Sequence, residues 1–244
     1  MAIKSNVLTH FTNSIDNLEN ILTNNFIPKL CLEDYEYLLN KEYKMFIPMV
    51  CFCDIPLHLI HTHINDYGSY GLGLSKKWGI KNKLNPVIYL EKESILSESI
   101  GEILDNLPEN TNTNILTNFW KIFCLLKPYQ GINKLLKNKV FYEENEWRYI
   151  PQKMHVIEGD SIFGLTLLKE EAKEESLNKI NTILSKQPLI FEPEDIQYIF
   201  IDNERERKSI IELIKNIKSI KYSSDTINTL CSKIISYEQI EGDV

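Results

Sequence analysis

Long apolar runs are missing from this chain. No stretch of it reaches the roughly 20 consecutive apolar residues that a membrane helix needs, so no membrane association is expected. The first thirty residues carry Lys4 and then polar-punctuated amphipathic sequence, not a basic stub followed by an apolar run, so no signal peptide is expected either. Glycine and proline are sparse, nine of each, and no Gly/Pro/Ser-rich linker divides the sequence; one domain is the expectation. Five cysteines, Cys31, Cys51, Cys53, Cys124 and Cys231, are odd in number and scattered, unlike a disulfide framework, and point to a reducing cytoplasm. An excess of positive charge is also missing. A net charge of -7 argues against a general electrostatic grip on nucleic acid, which relies on basic surface. The local lysine groups, Lys76, Lys77, Lys81 and Lys83 around Trp78 and Lys134, Lys137 and Lys139 further on, read as solvated loops. There is no Walker-type phosphate loop, dinucleotide glycine fingerprint, nucleophile elbow or zinc-protease helix.

What is present is an ordinary globular balance, 43% hydrophobic and 25% charged, over 244 residues, enough for a substantial core. Val7–Thr12 reads as a strand. Asn13-Ser14 then caps a helix carrying Ile15, Leu18, Ile21 and Leu22, which stops at Asn24-Asn25. Residues 29–47 are tyrosine- and charge-rich with weak periodicity and read as a short helix in a surface excursion. Phe46–Cys53 reads as a buried strand, followed by a helix with an Asp54 cap and Pro56 in its first turn. Tyr70–Ser75 is a strand whose Gly71 and Gly73 permit close approach of a ligand or another backbone. Pro86–Leu90 follows as a strand, then two helices between Ser94 and Leu126 that end at Lys127-Pro128. Phe141–Tyr149 and Ser161–Leu167 read as strands, with a charged helix from Glu170 to Leu184. The strand Ile196–Ile201 precedes a helix opened by Asn203 and Glu206 in a capping-box pattern, and a last helix and the short strand Ile234–Tyr237 close the chain. The lack of a regular beta-alpha-beta rhythm predicts an α+β fold, a single domain over residues 1–244 with helical insertions near 29–45 and 93–128.

Two distant strands carry the polar residues worth weighing. Alternation along a strand puts His10 beside Thr12, and Glu144 beside Glu146 with Arg148 on the same face, while Trp147 and Tyr149 look buried on the other. A histidine face and a glutamate face lining one cleft would suit a ligand whose glycosidic bond must be polarised. The cysteine and histidine group Cys51, Cys53, His58, His61 and His63 fits no zinc-finger spacing, and no metal is expected.

Three segments, Leu8–Thr12 with Asn17–Leu22, Val50–Leu57 running to Tyr67–Lys76, and Phe141–Tyr149, together resemble the AbiGi-type abortive-infection (phage-resistance) proteins of bacteria, as does Phe191–Ile196. Members are labelled antitoxins of two-gene defence systems, so the resemblance implies a cognate toxin or antitoxin partner. The same order of elements is similar, more distantly, to ADP-ribosyltransferases of the His-Tyr-Glu type. That similarity implies a mostly antiparallel split sheet flanked by helices and a defence effector that transfers ADP-ribose from NAD to an RNA, DNA or protein acceptor. Carried over by position, His10 and Thr12 would bind the adenosine-side ribose, His10 would count with Glu144 and Glu146 among the catalytic residues, and Ser75 would be a further NAD-binding residue. Tyr67 or Tyr70 would stack on nicotinamide, Glu146 would hold the nicotinamide ribose and Glu144 would orient the acceptor. The alternative implied by the same resemblance is a non-catalytic antitoxin or scaffold.

Overall fold

A computed structural model of the chain describes residues 5–39, 43–108, 111–132, 138–151, 168–169 and 174–242. In chain order its elements are strand β1 (Val7–Thr12), helix α1 (Ile15–Asn24), β2 (Lys29–Asp34), α2 (Glu36–Leu39), β3 (Lys44–Cys53), α3 (His61–Tyr67), β4 (Tyr70–Ser75) and α4 (Lys76–Lys81). They continue with β5 (Asn85–Pro86), β6 (Ile88–Leu90), α5 (Ile95–Asp105), α6 (Thr113–Phe123), β7 (Leu126–Pro128), β8 (Gln130–Ile132), β9 (Asn138–Val140), β10 (Glu146–Tyr149) and β11 (Leu168–Lys169). The last are α7 (Glu174–Leu184), β12 (Ile196–Ile201), α8 (Arg207–Lys218), α9 (Ser224–Cys231), β13 (Ile234–Ser236) and α10 (Tyr237–Gly242). This is an α+β architecture with mixed, mostly antiparallel pairing. The strand expected at Ser161–Leu167, the first turn of the helix expected from Glu170, and Lys134 and Lys137 lie outside the described residues. The chain divides into two compact units, Met1–Phe26 with Cys51–Leu84 and Pro188–Val244, and Ile27–Val50 with Asn85–Gln187.

The first unit is built on strands in the order β13, β12, β4, β1, with the Cys53 end of β3 against β1. β1 and β4 are antiparallel and bring His10 opposite Leu72 and Thr12 opposite Tyr70. The approach is close because β4 carries glycine: a Cβ on Gly71 would sit 2.3 Å from the His10 carbonyl oxygen. Leu8, Leu72, Leu74, Ile196 and Ile199 fill the sheet's interior side. Each buried leucine or isoleucine contributes about 1.5–3 kcal/mol. Helix α1 buries Leu18, Ile21 and Leu22; Ser14 caps its start by accepting from the Asn17 N–H, and Asn25, at φ 65°, ends it. The capping box at Asn203 and Glu206 is formed, and a 3₁₀ turn there leads into α8. Asp54 does not cap a helix. It takes Lys76 at 2.5 Å instead, and the 3₁₀ turn Leu57–Leu59 starts after Pro56 without a side-chain cap.

In the second unit β2 runs antiparallel to β3, from Lys29 opposite Met49 to Asp34 opposite Lys44. The helical excursion expected near 29–45 is therefore mainly a strand, with helix confined to the one-turn α2. The reason is non-local: Lys29–Asp34 has little pattern of its own and takes its conformation from the backbone partners β3 supplies. Helices α5 and α6 occupy the region where helices were expected. Gly101 of α5 presses on α2, where a Cβ would meet the Leu38 carbonyl oxygen at 2.6 Å. β10 pairs with β5, β6 with β7 in parallel, and β8 with β9 as a hairpin. The segment expected as one long glutamate strand is broken: Phe141–Glu144 form a 3₁₀ turn, Asn145 turns left-handed at φ 45°, and only Glu146–Tyr149 are extended. Glu144 and Glu146 therefore do not alternate along a single strand.

Candidate functional site

Among the described residues the buried carboxylates Glu144 and Glu146 and the buried Arg148 all lie in the second unit. On β10 it is Glu146 and Arg148 that are buried, whereas Trp147 and Tyr149 are half-buried, the reverse of the expected sidedness. Arg148, 1% exposed, donates from Nε to Glu146 Oε1 at 2.7 Å, from Nη2 to Glu33 Oε2 at 2.7 Å, and from Nη1 to the Cys124 carbonyl at 2.9 Å. Lys127, on β7, donates to Glu146 Oε2 and, at 2.5 Å, to Glu144 Oε2; Lys139 reaches Glu144 Oε1 at 2.7 Å. Glu33, Glu144 and Glu146 thus meet Arg148, Lys127 and Lys139 with charge in balance. The Glu146 backbone N–H donates to the Tyr89 hydroxyl at 2.8 Å, which fixes the start of the strand.

Burial alone would raise the Glu146 carboxyl, but the adjacent Arg148 and Lys127 charges outweigh it and hold it down at about 2. Burial likewise works against the Lys127 ammonium, and Glu146 and Glu144 overcome it, so its pKa is raised. The Cys124 thiol is pushed up to about 12, chiefly by burial, and is no nucleophile at neutral pH. Buried charges survive only when paired and hydrogen-bonded, and this web meets that condition. Its chemistry is that of a lock. Both Glu146 oxygens are engaged by cations.

The remaining candidates lie in the first unit. The His10 Nδ1–H donates to the Cys51 carbonyl at 2.8 Å, and its ring packs edge-on against Phe26 at 5.2 Å. Thr12 Oγ1 accepts from the Asn17 side-chain amide at 2.9 Å, joining β1 to α1. The Tyr70 hydroxyl donates to Glu206 Oε1 at 2.7 Å; burial first, and then this bond to a carboxylate, push its pKa up. Ser75 caps α4 by accepting from the Trp78 N–H. Tyr67 is exposed and stands beside the His63 ring. The structure brings Thr12 and Tyr70 together as cross-strand partners and Glu144 and Glu146 together on Lys127. His10 belongs to the unit that does not contain the glutamates. Among the described residues, no group of three or more His, Cys, Asp or Glu is placed to hold a metal ion.

Sequence alternation put Arg148 on the same face as Glu146, a face expected to line a cleft; the two are instead paired with each other and buried. It missed Lys127, Glu33 and Lys139 as partners. A lysine directly following the apolar run Phe123–Leu126 was the available signal for Lys127.

The family described as "Putative abortive phage resistance protein AbiGi, antitoxin" matches residues 24–202, a span that contains the whole web. The chain belongs to the AbiGi family. The "Abortive phage resistance protein AbiGi" of Lactococcus lactis subsp. cremoris is 30% identical over 250 residues, covering 89% of this chain and 99% of that protein. No solved structure matches this AbiGi chain significantly. The matched span includes Tyr67, Tyr70, Ser75, Glu144 and Glu146, and begins after His10 and Thr12. Among its described residues no helix is long and apolar enough to cross a membrane.

Proposed function

We propose that this AbiGi chain is the antitoxin-side member of a two-gene abortive-infection system and acts by binding a cognate toxin, not by turning over a substrate. The antitoxin description of its family and the state of Glu146 support this reading. A carboxylate that stabilises a developing ribose cation must face the ribose and interact more strongly in the transition state than in the ground state. Glu146 has both oxygens committed to Arg148 and Lys127. Removing one partner of such a buried pair costs about 3–5 kcal/mol. The test is to titrate the purified chain into the product of the adjacent gene by calorimetry and to co-express the two. A saturable complex and relief of that product's growth arrest are expected; no complex and no relief would reject the proposal.

The competing reading is ADP-ribose transfer from NAD to a nucleic acid or protein acceptor. What favours it is the strand pairing that sets Thr12 opposite Tyr70, with His10 on the same strand tied to the Cys51 carbonyl. It requires Glu146 to leave its cations when NAD binds.

A further inference from the structure

Helix α5 departs from an ordinary surface helix, which hides its large apolar residues, by carrying them on its outward side as well as its inward one. At about 100° per residue its sequence sorts into three faces. One face, Ser97 and Gly101 with the half-buried Ile100 and Leu104, packs inward, close enough at Gly101 to touch the α2 backbone. A second is an exposed acidic ridge of Glu98, Glu102 and Asp105. The third presents Ile95, Leu96, Ser99 and Ile103 to solvent, with Ile95 83%, Leu96 49% and Ile103 47% exposed. The same face runs into an open depression of about 490 Å³ lined by Ser99, Glu102, Ile103, Asn106, Leu107 and Pro108. Three large apolar side chains on one exposed helical stripe, beside a ridge of one charge sign, have the character of an interaction surface.

We propose that the outward face of α5 docks a basic amphipathic helix of the cognate toxin. The apolar stripe takes the partner helix's apolar residues, the depression takes an anchor side chain, and the acidic ridge selects a partner whose flank carries lysine and arginine. Complementary charge of this kind steers encounter and fixes register. The overall charge of -7 adds long-range attraction for a basic partner. This inference rests on the antitoxin reading and adds to it the surface used.

The experiment measures Kd between the full-length chain and the adjacent-gene product by calorimetry, for wild type, Ile103→Asp, and the double variant Glu98→Lys with Glu102→Lys. Unchanged urea midpoints are expected for both variants because all three positions are exposed. Ile103→Asp should weaken binding at least tenfold at any salt concentration. The double variant should weaken it at least tenfold at low salt and less at high salt, where charge is screened. If wild type binds and both variants bind within twofold of it, docking lies elsewhere and this inference fails while the antitoxin reading stands. If wild type does not bind, the antitoxin reading itself fails and takes this inference with it. If the wild-type chain sediments as a dimer that Ile103→Asp converts to monomer, the face joins two copies of this chain, and the proposal of a toxin helix is overturned.

Discussion

Replacing Lys127 with methionine keeps the length and volume of the stem and removes the cation that Glu144 and Glu146 share. Its effect follows from what remains. Glu146 retains Arg148 at 2.7 Å and Glu144 retains Lys139 at 2.7 Å, so neither carboxylate is stranded entirely. The loss should therefore fall at the low end of the range for a broken buried pair, about 3 kcal/mol at pH 7. The pH dependence has a definite sign. Folding lowers the Glu146 carboxyl from 4.5 to about 2, so its contribution is complete above pH 4.5 and is lost as pH falls towards 2. At about 1.4 kcal/mol per unit, that contribution is about 3 kcal/mol. Lys127→Met raises the folded-state value part of the way towards the ordinary one, since Arg148 stays beside the carboxylate, so the deficit against wild type should shrink as pH falls from 5 to 3. Urea unfolding followed by tryptophan fluorescence reads this out, since Trp120 and Trp147 both lie in the second unit. A deficit below about 1 kcal/mol at pH 7, or one that does not change with pH, would refute the claim that these carboxylates are locked by charge.

Arg148→Lys should cost about 2–3 kcal/mol in the same assay despite keeping the charge, because a lysine cannot span Glu146, Glu33 and the Cys124 carbonyl together. Tyr70→Phe removes one hydrogen bond to Glu206 and should lower stability by about 1 kcal/mol. Any larger loss of phage protection would speak for a ligand role of Tyr70. Asn203→Ala should cost about 1 kcal/mol through the lost capping box at the entry to α8, read as a lower urea midpoint with an unchanged slope.

The parts of the fold written in local sequence were legible. Ser14 and Asn25 bracket α1 because an oxygen-bearing cap and a left-handed asparagine act within a few residues of themselves. Ile196–Ile201 is a strand with the predicted bounds, and Asn203 with Glu206 makes the expected box. The misread parts depend on distant partners. Lys29–Asp34 becomes a strand through its pairing with β3, and Asp54 is drawn from capping by Lys76, 22 positions on. The left-handed turn at Asn145 splits the glutamate strand, and no alternation pattern announces it. Arg148 was legible on the same face as Glu146, but its burial and its bond to Glu33, 115 positions away, were not. A charged web in a unit's interior is assembled from segments that look like solvated surface one at a time.

Nicotinamide release from NAD is the measurement that meets the central claim most directly. With Glu146 held between Arg148 and Lys127, the purified chain, alone or bound to the adjacent-gene product, should release no nicotinamide above the buffer blank. Release that is saturable in NAD and abolished by Glu146→Gln in a variant that still folds would show that the carboxylate leaves its cations to do chemistry, and would contradict the account.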